Sequence, residues 1–96
     1  MISTSSVVIA AKDQVSSDLG EEVVILNLKK GVYYGLDEVG ARIWDLIQEP
    51  RAVREIRDLL LDEYDVEPER CERDLLALLE ELAAEDLVEV GDGTDS

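Results

Sequence analysis

Residues with catalytic or metal-binding side chains are scarce in this sequence. It has one cysteine, Cys71, and no histidine. Without histidine there is no Cys/His zinc site and no general base for Ser-His-Asp or Cys-His catalysis, and a single cysteine cannot form a disulfide within the chain. We therefore expect a protein that is not an enzyme and that uses no cofactor or metal. The free cysteine is typical of a cytoplasmic protein.

Cys71 itself lies in the first turns of a predicted helix, close in sequence to Arg70 and Arg73. A helix N-terminus and neighbouring arginines lower the pKa of a thiol and favour a reactive thiolate. A nucleophile of this kind also needs a base, and the chain has no histidine. We therefore favour a structural role, in which Cys71 fills the junction between a helix and a sheet.

Carboxylates are abundant, with 24 Asp and Glu against nine Lys and Arg, and the net charge is −15. Asp62-Glu63-Tyr64-Asp65 lacks the glycine and the terminal glutamate of an EF-hand, and Gly31-Val-Tyr-Tyr-Gly35 is not a phosphate-binding loop. A solvated acidic surface explains these residues best.

The charge disfavours nucleic acids and anionic membranes as partners, and no stretch approaches the roughly 20 apolar residues of a membrane span.

Three short strands are predicted in the first half of the chain. Ser6–Ala11 is apolar and β-branched, whereas the polar segment Lys12–Gly20 is predicted to be a connection. Glu22–Leu28 is apolar on both faces, which indicates a central strand. The turn Lys29-Lys30-Gly31 then leads to Val32–Leu36, which we expect at the edge of the sheet.

A period of 3.6 residues predicts three helices in the second half. Pro50 ends the first and Pro68 suits the first turn of the third. The helices are predicted from Asp37 to Pro50, from about Ala52 to Tyr64, and from Pro68 to about Ala84. Leu87–Val90 adds a short strand or packs against the body of the domain.

The length of 96 residues and the hydrophobic content of 46% fit a single folded domain. We predict that residues 1–96 form this domain, with a core of about 6–90 and a frayed tail at 91–96. The order of elements predicts an α+β fold, in which a three-stranded antiparallel sheet is followed by three helices that cover one of its faces.

The predicted edge strand carries two consecutive tyrosines, Tyr33 and Tyr34, whose side chains must point to opposite faces. One tyrosine then fills the core, and the other is available for contact with a partner. The edge itself has unpaired backbone N–H and C=O groups, to which an extended peptide can add as a further strand. The alternative is an edge that Gly35 and its short length merely protect from pairing.

The segment Val24–Ile47 contains the pattern Tyr34-Gly-Leu-Asp-Glu-Val-Gly-Ala-Arg-Ile43 and resembles the PqqD-like family. Members of this family are recognition elements for ribosomally made, post-translationally modified peptides (RiPPs). The resemblance continues through Ala52–Ile56 and Arg73–Glu89 and covers roughly Val23–Val90. Within the family, the chain most resembles the small stand-alone proteins of lasso-peptide biosynthesis.

This resemblance implies a winged-helix-like fold of three strands followed by three helices. It also implies that the chain binds the leader segment of a precursor peptide and presents it to a separate leader peptidase. In the family, the leader lies as an extra strand along the third strand, in a groove bordered by the third helix. The leader-binding residues implied here are the strand partners Val32, Tyr33 and Tyr34, and a helix wall of Arg73, Asp74, Leu75, Leu78 and Leu79.

Two other functions are considered. The first is a PqqD-type peptide chaperone that serves a radical enzyme in quinone cofactor biosynthesis. The family motifs do not separate this type from the lasso type, although Trp44 and the tyrosine pair favour the lasso type. A DNA-binding winged helix would use the basic strip of Arg51, Arg54 and Arg57, which we expect instead to form salt bridges with nearby carboxylates. An enzyme that uses carboxylates alone and a generic structural subunit are weaker alternatives.

Overall fold

The computed structural model describes residues 2–12, 14–18 and 23–92, and for residues 14–18 and 92 it describes the backbone only. Glu22, predicted to begin a strand, and residues 93–96 of the predicted tail lie outside these ranges. In chain order, the described elements are β1 (Ser6–Ala10), β2 (Gln14–Asp18), β3 (Val23–Asn27), β4 (Val32–Leu36), α1 (Glu38–Leu46), β5 (Arg51–Ala52), α2 (Val53–Glu63), α3 (Pro68–Ala84) and β6 (Val88–Asp92).

An antiparallel sheet with the order β2-β3-β4 precedes the three helices. Its central strand is β3, and β4 pairs with β3 in the register Ile25↔Tyr34 and Leu26↔Tyr33. Gly31, in the turn between these strands, has a φ of +68°, a conformation that glycine adopts without strain. The predicted α+β class, the central strand and the edge strand are thus confirmed, and β4 has one neighbour among the described strands.

The prediction for the first strand of this sheet was wrong. Ser6–Ala10 lies in a second antiparallel sheet, with the order β5-β1-β6, and Gln14–Asp18 takes the place next to β3. Gln14–Asp18 lies within the segment predicted as a connection, and its sequence QVSSD lacks apolar alternation, yet its backbone pairs with β3. Leu87 and Val88 are buried, and β6 continues to Asp92, two residues into the segment predicted as a tail.

The three predicted helices are confirmed, and the bounds of α3 agree with the prediction. The Asp37 carboxylate caps α1 by accepting a hydrogen bond from the Gly40 N–H at 2.8 Å. Asp86, with a φ of +58°, follows α3, and the Leu87 N–H then donates to the Leu82 carbonyl at 2.9 Å. No helix in the described part of the chain is both long and apolar enough to cross a lipid bilayer.

One hydrophobic core lies between the sheets and the helices. The inward face of β3 contributes Ile25, and each helix contributes an apolar stripe, as the 3.6-residue period predicts. Fully buried residues from these elements include Ile25, Ile47, Ile56, Leu75, Leu79 and Leu82.

Asn27 is a buried polar residue that connects the β3–β4 turn to the end of α3, and only 2% of its surface is exposed. Its amide nitrogen donates to the Glu85 carbonyl at 2.7 Å. Its amide oxygen accepts from the N–H groups of Lys29 and Lys30 at 2.9 and 3.1 Å. Because α3 leaves its last carbonyls without helical partners, Asn27 satisfies one of them and fixes the turn beside that helix.

We expect Asn27→Ala to lower the free energy of unfolding by about 2–3 kcal/mol, because two backbone N–H groups and one carbonyl lose a buried partner. Urea unfolding followed by circular dichroism measures this change. Gln48→Ala is the matched control, since the exposed Gln48 amide donates a single hydrogen bond to the Trp44 carbonyl. Its expected loss is below about 0.5 kcal/mol, and equal losses in the two variants would contradict this role of Asn27.

Candidate functional site

The outer edge of β4 has no strand neighbour among the described residues of the β2-β3-β4 sheet. Val32 is 38% exposed and Tyr33 is 71% exposed, whereas Tyr34 is half-buried and packs against the core. The strand carries no charged residue and no proline. Charge and proline are the usual protections of an edge, so β4 is suited to pairing with another strand.

A cavity of about 450 Å³ lies beside this edge. Residues from the end of β4, the first turns of α1, the end of α2 and the first turns of α3 line it. The side chains that line it are mostly apolar and include Leu36, Val39, Ile43, Leu60, Tyr64, Val66, Leu75 and Leu78. A volume of this size and composition suits one or two apolar side chains of a ligand.

The structure brings half of the predicted leader-binding residues together at this cavity. Tyr34 lines it from β4, and Asp74, Leu75 and Leu78 line it from α3. Val32 and Tyr33 lie on the adjoining strand edge.

Two predicted residues lie elsewhere on α3. Leu79 is fully buried, and Arg73 is exposed. Neither side chain lines the cavity. Residues 74 and 78 are four apart and share a helix face, from which positions 73 and 79 are rotated away.

The contribution of α1 and α2 to the cavity was not predicted from the sequence. Gly40, in the first turn of α1, is a lining residue, and a Cβ at this position would lie 3.2 Å from the Leu36 side chain. Glycine therefore permits the close approach of α1 to the end of β4. One feature of the sequence could have indicated this contribution: Val66 is an apolar residue in the otherwise polar connection between α2 and α3. It is 44% exposed and lines the cavity.

Tyr34 reaches across from β4 to α3, where its hydroxyl donates a hydrogen bond to the Glu81 carboxylate. Burial, together with this hydrogen bond and the negative charges of Glu81 and Glu85, raises the pKa of Tyr34 to about 12. The phenol therefore stays protonated at neutral pH and keeps donating. The Tyr34 side chain thus connects β4 to α3.

Cys71 lies in the cavity wall as a buried free thiol. Burial raises the pKa of this thiol, and the carboxylate of Asp74 raises it further. The protonated thiol is a poor nucleophile, which agrees with the structural role favoured from the sequence.

The described residues contain no cluster of three or more His, Cys, Asp or Glu side chains that could hold a metal ion. Two arginines of the basic strip predicted on the second helix, Arg51 and Arg57, contact other groups of this chain. Arg57 forms ion pairs with Asp58 and Glu72, at 3.1 and 2.8 Å, and the Arg51 guanidinium donates to the Leu46 carbonyl at 2.7 Å. Arg57 thus forms salt bridges of the kind expected from the sequence.

Comparison with known proteins identifies relatives of the whole domain. Residues 22–88 match the family described as coenzyme PQQ synthesis protein D (PqqD). The solved structure of TbiB1 in complex with the TbiA(beta) leader peptide has 42% identity and a TM-score of 0.78, and the match covers 84% of this chain and 94% of that chain.

A second solved structure, lasso peptide synthetase B1 complexed with the leader peptide, has 22% identity and a TM-score of 0.75. The match covers 85% of this chain and 96% of that chain, and at this identity it shows the shared fold alone. No curated protein matches the chain. The family match over most of the domain and the close structural relative lead to one assignment: the chain belongs to the PqqD family as a PqqD-like RiPP recognition element.

Proposed function

We propose that this protein binds the leader segment of a ribosomal precursor peptide by strand addition to β4, without catalysing a reaction itself. The observation that carries the proposal is the open β4 edge lying alongside an apolar cavity. The edge supplies hydrogen-bonding groups that read the backbone of a peptide, and the cavity reads its side chains. The 42% identical relative is a protein in complex with a leader peptide, which supports the same ligand class here.

Binding energies show why both features are needed. An edge strand of this length offers about three or four main-chain hydrogen bonds, each worth a net 0.5–1.5 kcal/mol. Ordering a flexible leader costs about 2–5 kcal/mol, so these bonds alone give weak binding at best. Burial of apolar leader side chains adds about 25 cal/mol per Å², and we expect one or two such side chains to enter the cavity.

The proposed partner is a separate leader peptidase, to which the bound leader is presented in lasso-peptide biosynthesis. This division of labour suits a chain that has no histidine and whose cysteine is a buried, protonated thiol. The net charge of −15 would attract a basic leader and speed its encounter with the domain. We place the complex in the cytoplasm, where a protein with one free thiol is stable without disulfides.

A second candidate function is supported by the name of the matching family, which describes coenzyme PQQ synthesis. In this case the same groove would hold a precursor for a radical enzyme. The two candidates differ in the peptide and in the processing enzyme. A short precursor gene and a protease gene encoded beside this chain would favour the lasso pathway.

We expect Leu78→Glu to weaken leader binding at least about tenfold, because a charged side chain would replace an apolar one in the cavity wall. Isothermal titration with the TbiA(beta) leader peptide, and with the leader of a precursor encoded beside this chain, measures the affinity. Leu76→Glu is the matched control, since Leu76 is a half-buried leucine of the same helix that does not line the cavity.

Thermal unfolding of both variants separates an effect on binding from an effect on folding. Equal leader affinities of Leu78→Glu and the wild-type protein would exclude this groove as the binding site. The absence of saturable binding of both peptides to the wild-type protein up to about 1 mM would overturn the proposed function.

We also expect leader binding to slow hydrogen exchange of the outward-facing β4 amides at least about tenfold, because strand addition gives these groups new hydrogen-bond partners. Amide exchange measured by NMR, with and without the leader, tests this expectation. The internal control is β6, which is an edge strand of the other sheet. Protection that appears equally in β4 and β6, or in neither, would contradict strand addition at β4.

A further inference from the structure

All three lysines of the chain surround a second cavity, of about 620 Å³. Lys29 and Lys30 belong to the β3–β4 turn, and Lys12 follows β1. We call this cavity the lysine pocket. Its other lining residues are Ala11, Asn27, Asp86, Val88 and Glu89, and it shares none of them with the apolar cavity beside α3.

The lysine pocket also contains two carboxylates, which do not cancel its positive charge. The Lys30 ammonium group lies 3.2 Å from the Asp86 carboxylate, and these side chains are 40% and 71% exposed. Glu89, the other acidic residue, is exposed as well. An ion pair that water reaches contributes little free energy, so the carboxylate of a ligand can compete with Asp86 for Lys30 at small cost. Three cations and two carboxylates leave this pocket positive, in a chain with a net charge of −15.

The charges at the two ends of β4 have opposite signs. Lys29 and Lys30 precede this uncharged strand, and Asp37 follows it. The apolar cavity at the Asp37 end also contains Asp74 and Arg70, whose charged groups lie 3.8 Å apart, so its lining is negative. A strand of five residues is about 17 Å long, which is about two Debye lengths at physiological ionic strength. A charged group at one end of a bound peptide therefore responds mainly to the charges at its own end.

This difference in charge supplies information that the backbone of an edge strand lacks. The N–H and C=O groups of an edge can pair with a parallel or an antiparallel strand, and the two ladders differ only slightly in stability per residue. Hydrogen bonding to β4 thus leaves the direction of an added peptide nearly undecided. A peptide with an acidic end gains attraction when that end lies at the lysines, and it meets repulsion when it is reversed.

We propose that the lysine pocket binds acidic side chains of the leader, and thereby fixes the direction in which the leader adds to β4; this inference rests on the proposed function. The ligand group is one or two Asp or Glu residues in the part of the leader that lies next to the β3–β4 turn. The rest of the leader carries neutral or basic residues, because the remaining charge around β4 is negative.

The test uses the double variant Lys29→Gln/Lys30→Gln, which removes two positive charges and keeps the backbone N–H groups that Asn27 binds. Isothermal titration at low salt with the leader of the precursor encoded beside this chain should show binding weakened about three- to tenfold, since each exposed ion pair changes affinity by up to about fivefold. The matched control is Arg54→Gln/Arg73→Gln. It changes the net charge equally, at exposed residues that line neither cavity, and affinity should stay within about twofold.

A leader in which Asp and Glu are replaced by Asn and Gln completes the comparison. This peptide should bind the wild-type protein about three- to tenfold more weakly than the natural leader, and the lysine variant should bind the two peptides within about twofold of each other. The direction is measured on the wild-type protein, with a spin label at either end of the leader. A label at the acidic end should broaden the amide signals of Lys29 and Lys30, and a label at the other end those of Asp37 and Gly40.

Three results would overturn the inference. The lysine and arginine variants could bind the leader with equal affinity at low salt, the bound leader could have no acidic residue next to the β3–β4 turn, or the label at the acidic end could broaden Asp37 and Gly40 instead. In each of these results the wild-type protein still binds the leader. Failure of the wild-type protein to bind any leader would overturn the proposed function, and the role of the lysine pocket with it.

Discussion

The hydrogen bonds of Asn27 are the constraint on which the arrangement of this domain depends. The Asn27 amide oxygen accepts hydrogen bonds from the N–H groups of Lys29 and Lys30 in the β3–β4 turn. The Asn27 amide nitrogen donates to the Glu85 carbonyl, directly after α3. The start of β4 is thereby fixed near the end of α3. Gly40 then allows α1 to approach the end of β4 closely. Between these two contacts, the Tyr34 hydroxyl also connects β4 to α3 through its hydrogen bond to Glu81.

This arrangement separates two kinds of recognition. In the proposed function, the backbone groups of the β4 edge would recognise the extended shape of a peptide without regard to its sequence. The mostly apolar cavity would select the size and shape of a side chain. The negative charges surround these features and act over longer distances, on the rate of encounter more than on the fit. The buried thiol of Cys71 contributes packing in this site, since its raised pKa keeps it protonated.

The two sheets use β-structure differently. The β5-β1-β6 sheet brings the two ends of the described chain together: β1 pairs with β6, and the Ala11 N–H donates to the Leu87 carbonyl at 2.9 Å. The β2-β3-β4 sheet leaves β4 with one strand neighbour among the described residues. One sheet thus joins the ends of the described chain, and the other carries Tyr33, which is 71% exposed.

The helices, the central strand and the open edge could be predicted from the sequence because each leaves a local signal. Asp37 caps α1, Pro68 begins α3, and the apolar residues recur every three or four positions. The partners of the strands have no local signal. Gln14–Asp18 pairs with β3 although its sequence shows no apolar alternation, and Ser6–Ala10 has the same composition whether it joins one sheet or the other.

The candidate site likewise has features that the local sequence indicates and features that depend on tertiary packing. The sequence by itself determined the chemistry: a chain without histidine, with one cysteine, with a strong negative charge and with an uncharged, aromatic edge strand. Only the tertiary structure decided which side chains line the cavity. Gly40, Ile43, Leu60 and Val66 come from three different parts of the chain, and helix rotation directs Leu78 to the cavity and Leu79 to the core. Such contacts depend on how elements pack against one another, which the spacing within any one element does not encode.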